Sequence, residues 1–267
     1  MNRQPILLLM MINDLKTMAR KVCEAERSLP REFERGRELR QGADGTPTLS
    51  IDQLAEDVIL DFVKEKDLPY NVLSEEAGFI DRKQSQTLVI DPIDGTHNSV
   101  AGIPFYSVSL AVGTKSLRDV EAGVVMNLMT RETYWAEKGK GAYKDDERIR
   151  VRAYSPSNSL FLVYLGKYSS AKNFQVARQA MRARAMGCAS LEMCLVAEGK
   201  ADAYYMNCEV HERSIRVIDI AASTLVLREA GGDVVDLRGK PLDIGFDLAQ
   251  RSNLLGYGDA RVKEVVL

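Results

Sequence analysis

The stretch that decides the fold runs from residue 89 to residue 112 and reads VIDPIDGTHNSVAGIPFYSVSLAV. An apolar run ends on Asp91, Pro92 stiffens the backbone, Asp94 follows, Gly95-Thr96 opens a turn or short helix, and a second apolar run, FYSVSLAVGT (105–114), returns. Sequential strands with no long helix between them favour an antiparallel sheet. Outward from this core the same texture continues in YNVLSEEAG (70–78), QTLVIDP (86–92), VEAGVVMNLMT (120–130) and ETYWAEKG (132–139), short β-branched or alternating runs bounded by turn residues. Upstream, residues 5–29 read as an amphipathic helix ended by Pro30. A second helix covers SIDQLAEDVILDFVKEKD (50–67), with Ser50 as cap, Gln53 in a capping box, and Ile51, Leu54, Val58 and Phe62 at helical spacing. Between them, REFERGRELRQ (31–41) reads as a solvated charged face and GADGTPT (42–48) as a loop.

From about residue 155 the pattern changes to alternating strands (159–165, 182–186, ADAYYM at 201–206, DVVDL at 233–237) and helices (171–181, SLEMCLVAEG at 190–199, IDIAASTLVLREA at 218–230). The chain therefore reads as α+β, in two closely packed lobes: 1–153 with helices on a mostly antiparallel sheet, and 154–267 with α/β organisation. With 267 residues, 45% apolar and 28% charged, it has the composition of a globular protein with a sizeable core. A formal charge of -2 supplies no basic field for nucleic acid or an anionic membrane. Four cysteines without a C-x-x-C pair and only two histidines make no zinc site, and buried thiols of this kind suit a reducing compartment. The apolar start PILLLMMI is too short to span a bilayer, so the expected location is cytoplasmic.

Chemistry concentrates at the ends of strands. Asp91 and Asp94, three apart, come to one side if a helical turn follows the strand. Carboxylates this close repel one another unless a cation is shared, and oxygen-only ligands select a hard divalent ion such as Mg²⁺ or Mn²⁺. Gly95 and Thr96 offer backbone N–H groups at a helix start, where phosphate binds readily. Glu75 and Glu76 in LSEEAG end another strand, and Asp219 stands before the first turn of an apolar helix. Taken singly these are a capping aspartate and a solvated turn; taken together they indicate a metal site.

In its motifs the chain resembles the inositol monophosphatase superfamily of metal-dependent, lithium-sensitive phosphatases. The resemblance is carried by SEEAG (74–78), the 89–112 stretch, GCASLEMCLVAEGKADAYY (187–205) and VIDIAASTLVLREAGG (217–232). GADGTPTLSID and GIPFYSVSLAV are most similar to the archaeal-type branch of combined fructose-1,6-bisphosphatases and inositol-1-monophosphatases. The resemblance implies a layered αβαβα sandwich, commonly dimeric, with two or three Mg²⁺ ions held by Glu75, Asp91, the Ile93 carbonyl, Asp94 and Asp219, and a weaker ion near Asp44. It makes Thr96, helped by Asp52, the residue that orients the attacking water, places Glu76 beside the ligands, and gives phosphate to Asp94, Gly95 and Thr96. For a second phosphate the candidate holders are Arg184, Arg213 and Arg216, with Lys167 a lesser one.

The substrate implied is a small phosphorylated sugar or polyol. A nucleotide phosphatase acting on adenosine 3',5'-bisphosphate or NADP is the alternative, although no adenine-stacking surface is recognisable in the sequence. A non-catalytic metal-sensing or partner-binding relative would lack a ligand or the threonine, and none is lacking. His97, Ile218 and the long segment MNCEVHERSIRV (206–217) depart from the family pattern and bear on substrate choice.

Overall fold

The computed structural model describes residues 4–43 and 45–267, with side chains from residue 11 on. Its helices are α1 (Gln4–Arg27), α2 (Ser50–Glu65), α3 (Thr96–Ala101), α4 (Ala171–Gln179), α5 (Ala189–Ala197), α6 (Val217–Glu229) and α7 (Ala260–Val266). An eight-stranded sheet takes the strands between Tyr70 and Ile149, and a five-stranded sheet those between Leu160 and Tyr257.

Strand alternation builds the layers. One face of the large sheet turns Leu88, Ile90, Leu110, Val112, Val124 and Met126 onto α1 and α2, burying Leu15, Met18, Val22, Ile51 and Ile59 at 0% exposure. The opposite face, through Val89, Ala111 and Val125, packs on α5 and α6. These two helices also cover the inner face of the small sheet, which presents Leu162, Tyr204, Val234 and Leu254. Its outer face buries Phe161, Val163, Tyr205 and Leu255 under α4 and α7, through Val176, Val262 and Val266. The order is helix, sheet, helix, sheet, helix, as the resemblance implies. Because α6 lies between two sheets, every residue from Val217 to Leu227 is buried and the helix shows no polar face.

The large sheet is antiparallel except where Tyr70–Ser74 runs parallel to Gln86–Asp94. Three local expectations change. The cap of α2 is one residue earlier and only half of a box: Ser50 is already helical, the Asp52 carboxylate accepts from the Leu49 N–H (3.2 Å) while the leucine side chain offers no acceptor in return, and Gln53 instead meets Arg40 and Asp57. The buried stripe of α2 runs through Ile51, Ala55, Ile59 and Phe62, with Leu54 and Val58 at its margin. Residues 38–49 are more than a charged face and a loop, since Glu38–Gln41 and Pro47–Leu49 pair as an antiparallel hairpin over the site.

Candidate active site

Ser74 pairs with Ile90 in the parallel pair, so the next residue on each strand, Glu75 and Asp91, stands beside the other at the same edge. Carboxyl ends of parallel strands are where open sheets bind ligands. Asp94 joins them through a bulge: the pairing to Ser107–Gly113 shifts register between Asp91 and Asp94. This irregularity in the strand, and not the expected helical turn, brings the two aspartates together. Asp219 comes from the layer beyond, at the third position of α6 and so inside its first turn. Arg216 is the N-cap, and its backbone N–H donates to Asp219 Oδ2 at 2.7 Å.

Asp91 is 2% exposed, and its Oδ1 has no hydrogen-bond partner among the described residues. Burial, followed by the negative charges of Glu75, Asp94 and Asp219, pushes its pKa well above the ordinary carboxylate range. Asp94 is raised by burial too, and its Oδ2 is tied down by the Ser190 N–H (2.7 Å) and the Cys188 thiol (3.2 Å). Among the described residues no three carboxylate, imidazole or thiol groups are gathered tightly enough to enclose an ion as they stand. A guanidinium is wedged between two of them: Arg216 Nη1 lies 2.7 Å from Glu75 Oε1, and Nη2 lies 2.8 Å from Asp219 Oδ1. An all-oxygen donor set around an orphaned buried carboxylate oxygen nevertheless fits a hard divalent cation.

Next to the carboxylates, Gly95 caps α3 with φ +83°, and a Cβ there would sit 3.1 Å from the Gly187 carbonyl oxygen and from Cys188 Cβ. Only glycine fits that conformation and that gap. Thr96 Oγ1 lies 2.9 Å from the Ile93 carbonyl oxygen and 3.1 Å from Asp52 Oδ1. Burial and the neighbouring Glu76 raise the Asp52 pKa to about 7, partly offset by the Thr96 contact. Glu76 itself is 3% exposed and accepts from the Thr48 hydroxyl. The Glu75-Glu76 turn is held to α2 by Glu56, which accepts from the Ala77 N–H (3.0 Å) and the Ser74 hydroxyl.

Asp52, Glu75, Glu76, Asp94, Gly95, Thr96 and Asp219 line one cavity of about 810 Å³, while Asp91 is not among its lining residues. Its far wall is built by the ends of strands of the small sheet and the segments just beyond them: Val163, Tyr164 and Leu165, then Ala185 and Met186, then Tyr204 and Met206. Of the expected phosphate-holding arginines, Arg213 lines the cavity, with Cζ 5.6 Å from the Tyr168 ring. Arg216 lies on the carboxylate floor. Arg184 is exposed, donates to the Ala183 carbonyl, and does not line the cavity; nor does Lys167, which sits over Tyr168. Asp44 falls outside the described residues.

The model of the inositol monophosphatase family matches residues 11–264. The chain belongs to that family. It is a phosphomonoesterase, of a family that is generally metal-dependent. Its relatives include a fructose-1,6-bisphosphatase/inositol-1-monophosphatase from Methanothermobacter thermautotrophicus, 33% identical over 94% of this chain and 92% of the relative. A bifunctional NADP phosphatase/NAD kinase from Methanococcus maripaludis is 35% identical over 84% of this chain but only 43% of its own length. Among solved structures, an inositol monophosphatase-fructose 1,6 bisphosphatase superposes with a TM-score of 0.83 at 30% identity, covering 96% of this chain and 97% of the other.

Some residues that shape this family site escape a reading of the sequence. Asn98 donates to the carbonyls of Phe105 (2.7 Å) and Met186 (2.8 Å), and the buried Glu192 accepts from the Met186 N–H (3.1 Å), its pKa raised by burial to about 8. Together they fix the 186–188 segment against Gly95. Both partners are ordinary polar residues in sequence, and only the packing of α3 against the 186–188 segment makes them visible.

Proposed function

We propose that the protein hydrolyses fructose 1,6-bisphosphate, inositol 1-phosphate, or both, by direct attack of water on phosphorus. The observation that supports this most is the convergence of Glu75, Asp91, Asp94 and Asp219 on one edge, around the unpartnered Asp91 Oδ1. Mg²⁺, two or three ions with Mn²⁺ as a substitute, would be held by Glu75, Asp91, the Ile93 carbonyl, Asp94 and Asp219, with Asp44 near the most weakly held. When bound, such ions lower the pKa of water and neutralise charge on the phosphoryl oxygens and leaving group.

The chain's own residues do the rest. The Gly95 and Thr96 N–H groups cradle the phosphoryl oxygens, whose charge grows as the ester bond breaks. Thr96 has one hydroxyl proton and two acceptors beside it. With Asp52 ionised, the proton goes to Asp52, and the threonine oxygen is left to accept a hydrogen bond from water and aim its lone pair at phosphorus. The water proton is lost to this pair as the P–O bond forms, and the departing alkoxide is reprotonated from solvent.

Arg213, at the cavity mouth, is the holder we assign to a second phosphate; its replacement by Met should raise the KM for fructose 1,6-bisphosphate about tenfold and leave that for inositol 1-phosphate unchanged. A panel of fructose 1,6-bisphosphate, inositol 1-phosphate, adenosine 3',5'-bisphosphate and NADP, with Mg²⁺ and after chelation, tests the reading. Phosphate release from the first two, abolished by EDTA, is the expected result; undiminished release after exhaustive chelation overturns it. The nucleotide reading gains one observation, since the Tyr164 ring with Val163 and Leu165 gives the cavity an aromatic and apolar wall. If nucleotides are the substrates, Tyr164→Ala will raise their KM and spare that of inositol 1-phosphate. A cytoplasmic homodimer remains part of the proposal, and light scattering should return twice the chain mass.

A further inference from the structure

Arg216 stands where no substrate-holding role explains it. It is 14% exposed on its side chain, and both terminal nitrogens of its fork are taken, one by Glu75 and one by Asp219, with Nε a further 3.2 Å from Asp219 Oδ1. Its position is fixed by the fold, because its own backbone N–H starts α6 on Asp219 Oδ2. Buried carboxylates that converge without a cation repel one another, and removing one member of a buried ion pair is strongly destabilising. A planar guanidinium suits this place, since its two ends reach two carboxylates at once.

We propose that Arg216 is the resident counter-ion of the carboxylate cage: it holds Glu75 and Asp219 in the metal-free protein, and it must give way when a divalent cation binds. The inference rests on the metal-dependent reading above and adds that the affinity for metal is set by competition with a side chain of the same chain. Both Asp219 oxygens are engaged by the same residue, Oδ1 by the guanidinium and Oδ2 by the Arg216 backbone N–H, so a cation drawn to this carboxylate competes with Arg216 for it. Arg216 also borders a second cleft of about 160 Å³ that Glu75 and Asp219 themselves line, together with Glu212, Arg213 and Arg251.

The test compares wild type, Arg216→Met and Arg216→Lys. Thermal midpoints are measured in EDTA, and Mg²⁺ and Mn²⁺ binding by calorimetry, with no substrate present. Arg216→Met should melt several degrees lower than wild type without metal, yet bind Mg²⁺ about tenfold more tightly. Arg216→Lys, whose single ammonium cannot fork, should fall between the two. In isotope-labelled wild type the Arg216 Nε–H resonance should be protected from exchange in EDTA and shift or lose protection as Mg²⁺ saturates. An unchanged resonance at saturation overturns the proposal even if Arg216→Met does not fold. Unchanged or weaker metal binding by Arg216→Met also overturns it while leaving the phosphatase reading intact. Failure of wild type to bind either ion removes both.

Discussion

Thr96 and Asp52 share one hydrogen bond of 3.1 Å, and the chemistry proposed for water depends on which of them carries the proton. Asp52 titrates near 7 because it is buried beside Glu76. A carboxylate whose folded pKa is raised above its unfolded value stabilises the fold fully below the unfolded value, and this contribution is lost as pH rises through the folded one. In EDTA, wild type should therefore lose stability between about pH 4 and pH 8. Asp52→Asn should flatten that loss in urea melts, and should also reduce turnover by at least about tenfold because an amide oxygen can accept from the threonine hydroxyl but cannot take up the proton that water releases. At Asp94, replacement by Asn keeps the contact with the Ser190 N–H through its carbonyl. We expect a normal circular dichroism spectrum with turnover down well over tenfold; near-normal activity would remove Asp94 from the ligand set. Gly95→Ala is the backbone counterpart: the positive φ and the 3.1 Å approach to the Gly187 carbonyl predict a loss of about 1–3 kcal/mol in stability.

At the scale of elements, α6 does two jobs, and both follow from where it lies. Its N-terminus delivers Arg216 and Asp219 to the cage, while its body fills the space between two sheets. Gly123 on the large sheet makes the close approach possible, because a Cβ there would stand 2.9 Å from Ala222 Cα and 3.1 Å from the Ala222 carbonyl oxygen. Gly123→Val should cost about 1–3 kcal/mol in urea unfolding and lower activity by tilting Asp219. Two kinds of element are legible in the sequence: α2, whose one buried face sets a helical period, and the strand through Val89, whose burial on both faces makes it a continuous apolar run. The hairpin of 38–49 is not, since Glu38–Gln41 is exposed on both faces and carries no alternation of apolar residues. Leu254–Tyr257 and α7 are short, and nothing in their composition announces them.

Across the whole molecule, the carboxylates sit where layers meet: Glu75, Asp91 and Asp94 belong to one sheet, and Asp219 to the helical layer behind it. The candidate ligands are legible because each lies in a contiguous motif at the end of an element. The supports contributed by Cys188, Ser190 and Glu192 are not, since they touch residues that only tertiary packing brings near. A ligand that bridges layers should stabilise all of them together. Mg²⁺ at about a hundred times its Kd should add about 2.7 kcal/mol, or roughly 5–10 °C in thermal midpoint for a chain this long. A midpoint indifferent to Mg²⁺ would separate the acidic edge from metal.

The lone parallel pair in the large sheet carries a final consequence. Because neighbouring side chains alternate across a strand, sliding Tyr70–Ser74 by a single step past Gln86–Asp94 would set Ser74 or Glu76 opposite Asp91 in place of Glu75. Strand alignment here is thus also the alignment of reactive oxygens, and a misregistered fold would be catalytically mute even if it were equally well packed.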